Sequence, residues 1–209
     1  MIRYGLIQLS DLQFGNKHRF DFPSKIANSL SEDIKTMSEK YQFIPIYLLL
    51  TGDIAETAHT TEFDDAIETI NKLALKIGID NDSILAIPGN HDINWKLSEI
   101  ASQVGDLSLK YYNYNKFSDS CCNPISLVNC DYYNRFIDHR LGIEILLLNS
   151  CEKEDHQNHL GYIEKEKLLN SIALDTKPNQ GYTKICLCHH RIDSNKMDKE
   201  NVVDNSFEI

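Results

Sequence analysis

Four short apolar runs, each stopped by chemically capable polar residues, restrict the folding of this chain more than any other feature. Ile2 to Leu9 runs into Ser10-Asp11, and Ile46 to Leu50 runs into Thr51-Gly52-Asp53. Ser83 to Ile87 leads to Pro88-Gly89-Asn90-His91-Asp92, and Lys184 to Cys188 leads to His189-His190. Apolar residues follow one another without alternation, which suits strands covered on both faces. Helical patterns lie between them. Phe63, Ala66, Ile67, Ile70, Leu73, Ala74 and Ile77 share one helix face. Thr61-x-x-Asp64 resembles a capping box at its start, and Gly78 fits its end. Ile26, Ala27, Leu30, Ile34 and Met37 mark an earlier helix behind Pro23-Ser24, and a third is expected from about 164 to 174. Strands alternating with helices imply an α/β fold with βαβ crossovers and helices on the sheet faces.

A length of 209 residues suits one sizeable core, so one domain over 1–209 is the economical reading. The segment 111–135, rich in Tyr, Asn, Ser and Cys, has no clear period and reads as a loop or cap insertion. In it, Tyr111-Tyr112-Asn113-Tyr114 is either a base-stacking cluster or a polar-aromatic cover. Tyr132 to Ile137 and Gly142 to Asn149 then form a hairpin turned near Asp138-His139-Arg140-Leu141, the start of a second sheet. The net charge of −10 gives no support to broad electrostatic capture of nucleic acid. No signal peptide and no run of membrane-spanning length is present. The six cysteines, at 121, 122, 130, 151, 186 and 188, sit mostly beside apolar runs. They read as reduced thiols of a cytoplasmic protein, with Cys186 and Cys188 as small buried residues on one strand face.

Ligands of open α/β sheets sit beyond the carboxyl ends of the strands. Those ends here present Asp11, Gln13, Asp53, Asn90, His91 and His189. A single Asp at a strand end is usually a turn former, but four strands ending this way make a shared site. Its mixture of carboxylate, amide oxygen and imidazole suits Mn²⁺, Fe or Zn²⁺ better than Ca²⁺.

The ordered series Asp11-Leu12-Gln13, Gly52-Asp53, Gly89-Asn90-His91-Asp92 and Cys188-His189-His190 resembles the motif set of the calcineurin-like metallophosphoesterases: D-x-H, GD, GNHD, a strand-final His, then G-H-x-H. The resemblance covers roughly residues 2 to 191, with Gly161-Tyr162-Ile163-Glu164 matching the segment ahead of the strand-final His. It implies a two-sheet αββα sandwich and a hydrolase that uses a water activated by two divalent metal ions. By position, Asp53 would bridge the metals, Asp11 and Gln13 would serve the first, and Asn90 and His189 the second. His91 would act on the phosphoryl group and the leaving oxygen, with Asp92 orienting its imidazole, and His190 would line or support the pocket. The substrate would be a phosphoester, nucleotide or nucleic acid included, for a phosphodiesterase, nuclease or nucleotide pyrophosphatase.

The chain departs from the family pattern twice. Gln13 stands where most members have His; branches with the D-x-Q form act on nucleotide-type diphosphates with Mn²⁺, which tilts the metal toward Mn²⁺. His18, within Asn16-Lys17-His18-Arg19, is either a substitute ligand or a loop residue near substrate phosphate. Secondly, no G-H-x-H follows His190 before Ile209. The expectation is therefore an N-terminal part, incomplete at its C-terminal side and inactive alone, of a longer protein with C-terminal regulatory domains. The competing reading is a non-catalytic module that keeps the fold to bind a nucleotide or a protein partner.

Overall fold

The computed structural model describes residues 2–15, 23–126, 133–166, 168–169 and 181–191. Strands β1 (Arg3–Leu9), β2 (Phe43–Thr51) and β3 (Ile84–Ile87) form a parallel sheet in that order. Helices α1 (Pro23–Tyr41) and α2 (Thr60–Ile77) make its crossovers, followed by α3 (Trp95–Val104) and α4 (Tyr112–Cys121). A second sheet pairs β4 (Tyr133–Asp138) antiparallel to β5 (Ile143–Leu148), and β5 parallel to β6 (Thr183–Leu187). Among the described residues, no helix is long and apolar enough to cross a membrane.

The unbroken apolar runs have a direct structural cause. Odd residues of β2 and β3 (Tyr47, Leu49, Leu85, Ile87) face the second sheet, meeting Ile145, Leu147 and Leu187. Even residues (Leu48, Leu50, Ile84, Ala86) face the helices, meeting Ala27, Phe63, Ala66, Ile70 and Leu73. A strand between two apolar layers has no polar side to show. β1 and β6 differ, since both stand at sheet margins: Tyr4 is 48% exposed, and Cys186 is exposed rather than buried as its apolar neighbours suggested. Leu148, Ile163 and Leu168 begin a third apolar cluster with Tyr133 and Leu146. Asp138 ties the hairpin to the first sheet. Its carboxylate accepts the Arg140 and Leu141 amides and the Tyr47 hydroxyl, the last at 2.5 Å.

Two local expectations are corrected. α2 is capped by His59, whose ring accepts from Thr61 while Glu62 reaches back to the His59 amide, so the helix starts ahead of the expected Thr61–Asp64 box. Its end at Gly78, with φ of 74°, agrees with the expectation. The second correction concerns 111–135. Residues Tyr112–Cys121 are a helix, and Tyr111, Tyr114, Phe117 and Cys121 are buried in the same core as α2. Their three- and four-residue spacing is helical, but Tyr and Cys disguise it as a polar stretch. Tyr111 and Tyr114, each 1% exposed, offer no face to a base. The remaining segment 127–132 and most of the expected helix 164–174 lie outside the described residues, as does His18.

A core role for α4 has a measurable consequence. Phe117 is wholly buried against Phe63 and Tyr114. Phe117→Ala is expected to lower unfolding free energy by roughly 3–5 kcal/mol in urea titration. A loss below about 1 kcal/mol would place the helix outside the cooperative core.

Candidate metal centre

The carboxyl ends of β1 and β2 are laced together before any side chain is considered. The amides of Asp11, Gln13 and Phe14 donate to the carbonyls of Gly52, Asp53 and Ile54 at 3.1, 2.9 and 2.8 Å, and Glu56 N returns to Phe14 O at 3.0 Å. This register forces Asp11, Gln13 and Asp53 into left-handed backbone, with φ of 55°, 45° and 53°. Non-glycine residues rarely adopt that conformation, and such strain clusters where side chains must be aimed. Gly89 permits the next approach. A Cβ there would stand 2.2 Å from Asp53 Oδ1 and 2.3 Å from Asp53 N. At Gly52 a Cβ would meet His189 Nδ1 at 2.6 Å.

Three side chains from three strand ends then converge. His189 Nε2 lies 3.3 Å from Asp53 Oδ1 and 3.1 Å from Asn90 Oδ1. Its Nδ1 donates to the Thr51 carbonyl at 2.9 Å, which leaves Nε2 as the ring atom a cation could use. Ligands held at about 2.1 Å from one ion at right angles stand about 3 Å apart, so this trio fits a divalent cation. The electrostatics agree. Burial pulls the His189 pKa down, but the hydrogen bond and charge of Asp53 outweigh it and raise the group to about 9. Burial acts to raise Asp53, and His189 together with the His91 amide outweighs it, leaving the carboxyl below its ordinary value. An imidazolium proton thus takes the position of positive charge, and a metal ion would replace it.

The sequence profile of the calcineurin-like phosphoesterases matches residues 6–207. The chain belongs to the calcineurin-like phosphoesterase family. A search of the curated proteins finds no match. Among solved structures, the chain resembles a dimetal phosphatase from Danio rerio at 12% identity and a TM-score of 0.52, covering 99% of this chain and 76% of the other. At that identity the likeness is one of fold. The family supports the reading of this chain as a metallophosphoesterase, a hydrolase of phosphoesters.

Within this metallophosphoesterase the GNHD turn divides its work differently from the expectation for Asp92. The Asp92 carboxylate, fully buried, accepts Ala55 N on Oδ1 and Gly89 N on Oδ2, both at 2.9 Å. It clamps the GD loop to the GNHD turn. Burial, then the Asp53 charge, push its pKa up to about 7 against those two amides. The His91 ring is held instead by a backbone group: Nδ1 donates to the Glu56 carbonyl at 2.7 Å. The His91 amide donates to Asp53 Oδ1 at 2.9 Å, so the hydrogen bond from this residue to that carboxylate is made by its main chain. Asp11 is exposed, and its carboxylate accepts the Ser10 hydroxyl. Asp11 and Gln13 are brought beside Asp53 by their backbone pairing.

His91 also borders a cavity of about 400 Å³ lined by Glu56, Thr57, His59, Asn94, Trp95 and Lys96. Trp95 packs against His159, ring centres 4.8 Å apart and planes tilted by 44°. None of these residues carries a sequence signal for a substrate pocket. His59 stands in a cap position, and Trp95 reads as an isolated aromatic residue at a helix start.

Proposed function

We propose that this metallophosphoesterase hydrolyses a phosphodiester or nucleotide-type diphosphate with two divalent cations, Mn²⁺ favoured. The observation that carries the reading is the convergence of Asp53 Oδ1 and Asn90 Oδ1 on His189 Nε2, at 3.3 and 3.1 Å. These residues would hold one ion; Asp11 and Gln13, with Asp53 between the two, would hold the other. The Danio rerio structure is described as a dimetal phosphatase, which is consistent with two ions here. When bound, such cations lower the pKa of water into the neutral range and offset the charge of phosphoryl oxygens. The protein's own contributions are positional. Asp92 fixes the distance between the Asp53 loop and the turn that carries Asn90 and His91. The Glu56 carbonyl keeps a proton on His91 Nδ1, so a further proton on Nε2 is the one available to a leaving oxygen. The cavity beside His91 would take the leaving group, with Lys96 supplying positive charge. Gln13 is a neutral oxygen donor where imidazole is usual, which favours a hard cation such as Mn²⁺.

Chelation tests the proposal. The protein stripped with a chelator is expected to turn over neither an aryl phosphodiester nor a nucleoside diphosphate ester, and added Mn²⁺ is expected to restore hydrolysis of at least one. Undiminished turnover after stripping would sink the reading. Tight uptake of two ions without turnover of any phosphoester would favour a non-catalytic nucleotide-binding module instead.

A further inference from the structure

A second cluster of metal-type ligands lies apart from the convergence on Asp53. Cys151, Glu154 and His190 are 0%, 3% and 2% exposed, and one potential ligand atom from each lies within 4.8 Å of the others. His190 Nε2 stands 3.3 Å from Glu154 Oε1, and Cys151 Sγ stands 3.9 Å from His190 Nδ1. Among the described residues, both Glu154 carboxylate oxygens and His190 Nε2 are buried without a hydrogen bond of ordinary geometry, and the groups that face the carboxylate are the Cys151 thiol and the His190 ring. A buried carboxylate left without hydrogen bonds is costly, and native proteins rarely retain one unless a cation or proton compensates it.

The imidazole is oriented for a ligand. Ser150 Oγ accepts the His190 backbone amide at 3.3 Å and lies 2.8 Å from Nδ1. His190 Nε2 faces Glu154 Oε1 at 3.3 Å, a separation that a shared cation or a proton bridges. Gly161 makes room for this ring, since a Cβ there would meet it at 2.6 Å.

The loop that carries the other two ligands is shaped independently of them. Lys110 Nζ donates to the carbonyls of Cys151, Glu152 and Glu154 at 3.3, 2.6 and 2.5 Å. Tyr111 donates to the Cys151 carbonyl at 2.9 Å, and Asn149 Oδ1 accepts the Cys151 amide at 2.9 Å. Thiol and carboxylate are therefore preset, side by side, in a dry site. Sulfur, nitrogen and oxygen donors, one each, form a set suited to Zn²⁺.

We propose that Cys151, Glu154 and His190 bind a structural zinc ion, distinct from the hydrolytic centre, that pins the 150–154 loop to the segment carrying His189. The rings of His189 and His190 are nearly perpendicular, at 78° with centres 5.0 Å apart, and their Nε2 atoms address different carboxylates. An ion on His190 thus fixes the backbone from which His189 reaches Asp53. The inference rests on the buried cluster and stands or falls apart from the phosphoesterase reading.

The experiment separates the two centres by mutation and reads metal rather than activity. The Asp53→Asn chain is purified without chelator, zinc is measured by atomic emission, and Co²⁺ is exchanged in for spectroscopy. About one zinc per chain is expected, with a sulfur-to-cobalt charge-transfer band after exchange. Adding Cys151→Ser or Glu154→Gln is expected to remove the zinc, while replacing the exposed thiol, Cys186→Ser, leaves both signals unchanged. X-ray absorption of the Asp53→Asn chain itself is expected to show one sulfur bound to zinc, which needs no variant of the cluster to fold. Absence of zinc and of sulfur ligation from the Asp53→Asn chain would overturn the proposal. So would undiminished zinc after Cys151 and Glu154 are both replaced, which would leave a proton between His190 and Glu154.

Discussion

Asp53→Asn is expected to reduce kcat by at least about 10³-fold, equivalent to roughly 4 kcal/mol of transition-state stabilisation, and to release the bound divalent metal of the hydrolytic centre. The two proposed ligand sets meet at this residue. Asp53 Oδ1 accepts the His91 amide and faces His189 Nε2, and its backbone carbonyl receives the Gln13 amide. Asparagine preserves the shape, and the backbone pairing with residues 11–14 should survive. What it removes is the negative charge in a buried position where two cations are proposed to share one carboxylate. It also removes the partner that lifts His189 to about 9, so the imidazole should titrate lower in the variant, a shift that NMR can follow. Metal content by atomic emission and kcat on an aryl phosphodiester check the two halves together. Activity within tenfold of the unaltered protein, with full metal, would remove Asp53 from the centre.

The places where this fold and site are legible in the sequence share a physical cause. β2 and β3 lie between two apolar layers, so their composition alone marks them, and the polar residues that stop them are the site. The α2 face shows because Phe, Ile, Leu and Ala mark it unambiguously. α4 does not show, because its buried face is made of Tyr, Phe and Cys among Asn and Ser. The cap position is hidden for a similar reason: histidine is an unusual cap, and the neighbouring threonines are common ones. In the site, motif order points to Asp53, Asn90 and His189, which do come together. The group that orients His91 is a backbone carbonyl, which no residue identity announces. Asp92 looks like its partner by adjacency, yet the 3₁₀ turn at Asn90–Asp92 sends its carboxylate back to the amides of Ala55 and Gly89. Cys151 and Glu154 share one loop while His190 follows β6, and only tertiary packing makes the three neighbours.

The division of labour in that turn makes His91 separable from the metals. His91→Gln is expected to lower kcat by about 10²–10⁴-fold, the range for losing a positioned proton donor, with metal content unchanged. The metal content should hold because position 91 meets Asp53 through its main-chain amide, which glutamine retains. The loss should come from the ring. With Nδ1 held by the Glu56 carbonyl at 2.7 Å, the imidazole can carry a second proton on Nε2 and release it to a leaving oxygen; a carboxamide cannot. The defect should therefore depend on the leaving group. An alkoxide leaving from an alkyl phosphodiester needs that proton, whereas nitrophenolate departs without it, so the alkyl substrate should suffer by at least about tenfold more. Paired kcat measurements on the two substrates, with metal content measured on the same samples, test this. An equal loss on both substrates, or loss of metal along with activity, would mean that His91 supports the centre rather than protonating the departing oxygen.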